Sequence, residues 1–229
     1  MDRGMNEVWD NRHLIWLGLK LTLQLSVVAI VASTIIGLFI GVGLVYGNRV
    51  VRTLLRLYVD IIRGLPILVV LFLIYYILPA LDLNIGGFHV PTNVGRFQAA
   101  SIGLSAFGAA QVGEIVRGAL ASVPKGQTDA AKSLGLTFWP RLFHVSLPQS
   151  IPVIIPPWTN TAAELVKGTS LASLLSMSEL LFATRKIVER TGDVLPFYIA
   201  AAAIYFVICF SISRIGVLVA QRYRFGVAR

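Results

Sequence analysis

Residues 14–46 read LIWLGLKLTLQLSVVAIVASTIIGLFIGVGLVY, an apolar run broken by one charge, Lys20. As a single helix it would reach ~50 Å, more than the ~30 Å hydrocarbon core of a bilayer. Part of it therefore tilts or lies in the interface, with Lys20 snorkelling outward. The run is too long for a signal-peptide core and no small-residue cleavage pattern follows it, so it is read as a retained span. Gly37 and Gly41 form a GxxxG pair, with Gly43 beside them, and allow a second helix to pack closely.

Similar runs fill most of the chain. Of its 229 residues 56% are hydrophobic and only 14% charged, against roughly a quarter charged in soluble domains. The expectation is an all-α, polytopic transmembrane helical bundle. Five spans are read, at about 17–46, 54–78, 97–121, 146–172 and 194–220, within a single domain covering 1–229. The net charge of +9 does not point to nucleic acid, because the basic residues are spread over the loops between spans. The single Cys209 lies in the last apolar run, which excludes a disulfide framework.

Each segment carries a local signal. The second span is interrupted by Arg63-Gly64-Leu65-Pro66, and Pro66 predicts a kink. Asp60 and Arg63, three apart, are expected to pair near the inner surface. Pro79 to Arg96 reads as a loop outside the membrane. In the third span Glu114 and Arg117 are three apart and form a candidate structural ion pair. The fourth span opens at Ser146 and carries Pro148, Pro152 and Pro156 on one face, which a membrane tolerates only against protein or a cavity. Ser176 and Glu179 read as a capping box opening an amphipathic helix that ends near Gly192.

Charge orients the bundle. The first loop, the 117–145 segment and the tail hold ten Lys/Arg, among them Arg49, Arg52, Arg56, Arg222, Arg224 and Arg229, with one acid, Asp129. The opposite side holds six Lys/Arg (Arg3, Arg12, Arg96, Arg185, Lys186 and Arg190) against seven acids. The positive-inside rule makes the first side cytoplasmic. Five spans then put the N-terminus outside and the C-terminus in the cytoplasm.

One cytoplasmic loop, 122–145, runs on into the fourth span. Its stretch Gly126–Pro148 reads GQTDAAKSLGLTFWPRLFHVSLP. Gln127 and Thr128 can cap a short helix, Asp129 suits its positive end, and Gly135 can close it in the left-handed conformation. Ala130 and Leu134 give a small apolar stripe. Thr137, Pro140, Leu142 and Phe143 predict a second short helix at the membrane surface. Helices of one or two turns are unstable alone, so a partner protein is the natural support. An ordinary capped helix in a loop is the plainer alternative.

Asp129-Ala130-Ala131, Gly135, Val145, Leu147 and Pro148 resemble the EAA loop of ABC importer permeases, EAA-x3-G-x9-I-x-L-P. Asp129 stands where Glu is usual and Val145 where Ile is usual. The resemblance implies a coupling helix that docks on a separate ATP-hydrolysing subunit through Asp129, Ala130, Ala131, Leu134, Gly135 and Pro148. Three further stretches resemble the polar-amino-acid branch of that family: Ile62–Pro66 with Leu71–Tyr76, EIVRG at 114–118 with VPKGQ, and Asn160 with LVKGTSL. In the last, Gly168 replaces the usual Asp and Glu164 is an additional acid. Gln111 stands where an aromatic residue is usual.

Polar groups inside a span are expensive and point to function. Gln111, Asn160, Glu164, Lys167, Thr169 and Ser170 are therefore candidates to line a substrate pathway. Glu164 and Lys167 serve equally well as a structural ion pair at i, i+3. No phosphate-binding G-x4-G-K-[ST] loop, HExxH or CxxC occurs, and His13, His89 and His144 are scattered. No catalytic or metal site is expected.

The resemblance implies a permease subunit of a bacterial inner-membrane ABC importer for polar amino acids or related small solutes. Its partners would be ABC ATPase subunits that bind ATP and Mg, a second permease subunit, identical or homologous, and an extracytoplasmic solute-binding protein. A secondary transporter or channel working without an ATPase is the alternative, but no internal repeat divides the chain into halves. A scaffold without transport would not need the polar residues inside its spans.

Overall fold

The computed structural model describes residues 7–77, 79, 84–85, 88–89 and 94–224. Arg3, Arg229 and most of the Pro79–Arg96 loop lie outside the described residues. The chain is built from helices: α1 Arg12–Tyr46, α2 Arg49–Gly64, α3 Ile67–Phe72, α4 Arg96–Ala121, α5 Lys125–Ser133, α6 Phe138–Arg141, α7 Leu147–Gly168, α8 Leu180–Thr191 and α9 Val194–Arg224. One small antiparallel pair, β1 Asn84–Ile85 with β2 Phe88–His89, stands between α3 and α4. Among the described residues three helices, α1, α4 and α9 as far as Tyr223, are long and apolar enough to cross a membrane. The number is up to five if each of two bent helix pairs is one span.

Helices α1 and α4 form the centre, and small residues set how closely they lie. A Cβ added at Gly37 would fall 2.6 Å from the Val112 Cβ, and one at Gly113 would fall 2.6 Å from Ile40 Cγ2. The GxxxG stripe of α1 is thus filled by the valines of α4, a contact that rests on van der Waals packing. Leu25 and Ala29 of α1, Leu71 of α3, Leu104 and Phe107 of α4 and Leu165 of α7 bury together as one core. Helix α9 covers α7 and α8 with Phe197 and Ala201 while Phe206, Val207 and Leu218 stay exposed, as suits a helix beside lipid or another subunit.

The junction of α1 and α2 is closed by side chains. Asn48 accepts from the Val51 amide at 2.8 Å, and Arg52 donates to the carbonyls of Val45 and Gly47, each at 3.3 Å. One polar group satisfies a helix N-terminus and one cation satisfies a helix C-terminus.

Pro66 does more than kink the second apolar segment. Helix α2 and the segment Ile67–Ile77, whose last turn Leu73–Ile77 is π-helical, meet at 110°. Leu65, at φ −98° and ψ 142°, is forced out of the α region by the proline ring that follows it. Two residues in extended conformation, Leu65 and Pro66, separate the helices, so the chain turns a corner there.

The fourth apolar segment also departs from expectation. Residues Phe138–Arg141, a π-helical turn Leu142–Ser146 and α7 run on without a break, so the helix starts eight residues before Ser146 and no separate surface helix forms. Wide π turns absorb the missing amides of prolines such as Pro148. A 3₁₀ stretch, Thr169–Leu175, ends the segment, and α8 leaves it at 50°.

Candidate functional site

Helix α5 begins two residues before the expected caps. Pro124 holds the N-cap position, with no side-chain cap, and the Thr128 hydroxyl donates back to the Lys125 carbonyl at 2.7 Å. A proline needs no amide partner at a helix start, so Gln127 and Thr128 become interior. Asp129 accepts from Lys132 at 3.1 Å.

The end of α5 is a Schellman motif. Gly135, at φ +77°, donates to Lys132 O at 2.8 Å and Leu136 donates to Ala131 O at 3.1 Å. No atom lies within 4 Å of a Cβ placed at Gly135, so conformation rather than space requires glycine there. Ala131 is buried against the bundle, whereas Ala130 is exposed and Leu134 is 81% exposed.

Beyond Gly135, Phe138 packs edge-on against Tyr46 and buries one side of α6. Trp139 stacks on Phe143 at 5.9 Å, and both face outward. Ser150, just after Pro148, donates to Ser146 O at 2.7 Å and reaches Ala119 O at 3.3 Å, which ties the start of α7 to the end of α4. The loop therefore presents exposed apolar side chains on a frame fixed to two long helices.

A polar seam joins α2 to α4. Arg117 donates to both oxygens of Glu114, at 2.9 and 2.6 Å, and Arg56 donates to Glu114 at 3.1 Å. Asp60 lies 3.8 Å from Arg56 rather than pairing with Arg63. Arg63 instead donates to Gln111 Oε1 at 3.1 Å. Gln111 is thereby held on the α2 side of the bundle, apart from the other pathway candidates.

Those candidates lie mainly along one face of α7. Pro152, Pro156, Asn160, Glu164 and Lys167 follow at spacings of three and four, so a single stripe faces α9. Asn160, Glu164 and Lys167 line a cavity of about 530 Å³ whose opposite wall is Phe206, Cys209, Phe210 and Ser213. Glu164 and Lys167 are both exposed to it, and neither is in an ion pair among the described residues. A second hollow of about 270 Å³ shares Lys167 and adds Ser170, Leu181, Tyr198 and Tyr205. Thr169 departs from the set: it is fully buried and its hydroxyl donates to Val166 O at 2.7 Å.

The capping box at 176–179 is also different. Ser176 sits in the left-handed conformation, at φ 57°, and closes the 3₁₀ stretch. Glu179 alone is the N-cap of α8 and accepts from the amides of Leu181 and Phe182 at 2.9 and 2.8 Å. It is fully buried and also accepts from Tyr205, a long-range partner that no local spacing could indicate. Among the described residues no three of His, Cys, Asp and Glu could hold a metal ion.

Residues 33–225 match the family described as binding-protein-dependent transport system inner membrane component. A probable amino-acid ABC transporter permease of Bacillus subtilis, YckA, is 38% identical over 84% of this chain and 81% of its own length. The L-cystine transport permease TcyB of the same organism is 36% identical over 93% of this chain and 87% of its own. A solved amino acid ABC transporter, crystallised with histidines, superposes with a TM-score of 0.81 at 30% identity, covering 94% of this chain and 96% of that one. With its frame of long apolar helices and these relatives, the chain belongs to the binding-protein-dependent inner-membrane transport components: it is a multi-pass permease subunit of an ABC importer, a transport component rather than an enzyme.

Proposed function

We propose that this permease carries polar amino acids or closely related small solutes, and that Glu164 and Lys167 recognise the two charged ends of the solute. The observation that carries this reading is an unpaired pair. In this chain Glu114 with Arg117, Asp129 with Lys132 and Arg185 with Glu189 stand three or four apart and form ion pairs. Glu164 and Lys167 have the same spacing and stay apart on one cavity wall. A solute bearing an ammonium and a carboxylate on one carbon neutralises both, and Asn160 adds a neutral hydrogen-bonding group one turn away. The names of the relatives, amino-acid and L-cystine permeases, support the same class.

The single domain 1–229 counts five spans when each bent pair is one, with the N-terminus outside and the C-terminus in the cytoplasm. The basic loops support that orientation. The segment 122–145 then docks on an ATPase subunit through the exposed face of Ala130 and Leu134, with Asp129, Ala131, Gly135 and Pro148 shaping it. ATP and Mg belong to that partner. A second permease subunit completes the pathway, and an extracytoplasmic binding protein delivers the solute. Closure of the ATPases favours one arrangement of the two permease halves, a rigid-body rocking.

Cys209 tests the solute reading, because it is the only cysteine of the chain and lines the same cavity. In the reconstituted complex with cysteine-free partners, transported amino acids should slow its alkylation by a maleimide. Analogues lacking the amino group or the carboxyl group should not, and Glu164→Gln should weaken the protection while leaving assembly intact. Equal protection by the truncated analogues, or none by any amino acid, defeats this reading.

A further inference from the structure

Glu179 is fully buried where three helices meet. Its Oε1 accepts from the Phe182 amide at 2.8 Å, and its Oε2 from the Leu181 amide at 2.9 Å and the Tyr205 hydroxyl at 2.8 Å. The Thr22 hydroxyl of α1 lies 3.5 Å from Oε2 and itself accepts from the Leu180 amide at 3.1 Å. The carboxylate thus clasps α1, the start of α8 and α9 together.

A cap alone does not require this arrangement. Ser, Thr, Asp or Asn caps a helix from a shorter side chain, and burying a carboxylate is costly unless donors surround it. The bond that capping leaves unexplained is the one to Tyr205. That tyrosine lines the hollow that contains Lys167 and Ser170. Phe206, the next residue of α9, and Cys209, one turn further along, line the cavity that contains Glu164 and Lys167. The hydroxyl of Tyr205 is therefore the point at which the α9 wall of both spaces is fixed.

We propose that Glu179 is a positioning residue of the transport cavity: by holding the Tyr205 hydroxyl it sets α9 in register opposite Lys167 and Glu164, and it links that wall to α1 and α8. Glu179 never touches the solute. The proposal rests on the reading of this cavity as the solute site.

Three variants separate positioning from capping. Tyr205→Phe removes only the hydroxyl and leaves both capping bonds of Glu179 in place. Glu179→Asp keeps a strong N-cap but draws the carboxylate back from Tyr205. Glu179→Gln weakens the cap, because its one oxygen serves only one of the two amides that now bind separate oxygens, but keeps a polar group within reach of the Tyr205 hydroxyl. In the reconstituted complex, uptake kinetics and the maleimide reactivity of Cys209 without solute are measured for each. Tyr205→Phe and Glu179→Asp should each raise KM for solute about tenfold, the worth of a hydrogen bond to a charged group, with maximal rate and ATPase binding unchanged. Both should alter the reactivity of Cys209, whereas Glu179→Gln, which gives up one capping bond but keeps the contact to Tyr205, should leave KM and that reactivity nearer the wild type than Glu179→Asp does. If Tyr205→Phe leaves KM and Cys209 reactivity as in the wild type, or lowers only the maximal rate, Glu179 is a helix cap and nothing more. Should Tyr205→Phe fail to assemble, Glu179→Asp decides by the same two outcomes. Failure of the solute reading is distinct: no amino acid then protects wild-type Cys209, while the solute-free reactivity still reports whether the clasp sets α9.

Discussion

Gly41 of α1 lies against Val116 of α4 so closely that a Cβ on the glycine would fall 2.5 Å from the valine Cβ. One turn earlier Gly37 meets Val112 in the same way. Two helices in contact along much of their length therefore depend on hydrogen atoms in place of side chains at these positions. Packing of this kind does not yield to a rotamer change, because the opposing atoms are Cβ atoms near the backbone.

Gly41→Leu should separate α1 from α4 and destabilise the folded permease by about 1–3 kcal/mol, the range for overpacking a filled core. Thermal unfolding of the detergent-solubilised protein would show a lower midpoint. Gly118→Ala is the control, because nothing lies within 4 Å of a Cβ there, and its midpoint should stay near wild type.

Gly135 and Asp129 should differ in their effect on coupling. A residue with a Cβ at φ +77° carries a penalty of about 1–2 kcal/mol and loosens the end of α5. Asp129 makes only an exposed pair with Lys132, a contact worth about 0–1 kcal/mol. Gly135→Val should abolish transport and weaken ATPase co-purification with membrane insertion unchanged, whereas Asp129→Ala should do less. Normal transport by Gly135→Val with its ATPase still bound would remove the loop from the coupling role.

Orientation is open to labelling from outside the cell. On a cysteine-free background, a cysteine at Thr191, at the end of α8, should react with an impermeant maleimide. One at Gln127, exposed on α5, should react only after the membrane is opened. Reversed accessibility would invert the orientation and take the ATPase-facing assignment of α5 with it.

Much of the fold was legible because it arises from local chemistry. A run of apolar residues as long as 14–46 has one stable home, and glycine four residues from glycine on its face marks where another helix comes close. Gly135 stands just past a short polar helix and Gly192 past an amphipathic one, and both take the left-handed conformation that ends such helices. The proline at position 66 announced a disruption. Its size, 110°, was not legible, because a proline excludes helix from the residue before it without choosing the direction in which the next helix leaves.

What the sequence determined by itself was everything that depends on neighbours along the chain: apolar helices, their glycine stripes, the breaks, and the small helix closed by Gly135. What the tertiary structure decided was the choice among partners that local spacing leaves equal. Asp60 had Arg56 and Arg63 within reach on its own helix; Arg63 turned to Gln111 of α4, and Asp60 lies beside Arg56. Glu164 and Lys167 could have paired and instead face a cavity made with α9. Thr169, polar and next to Ser170, points into the bundle because the 3₁₀ turn rotates it there. Glu179 finds Tyr205, far from it in sequence, only once α9 folds back over α8. A charged or polar side chain takes the partner that packing brings to it, and packing is a property of the whole fold.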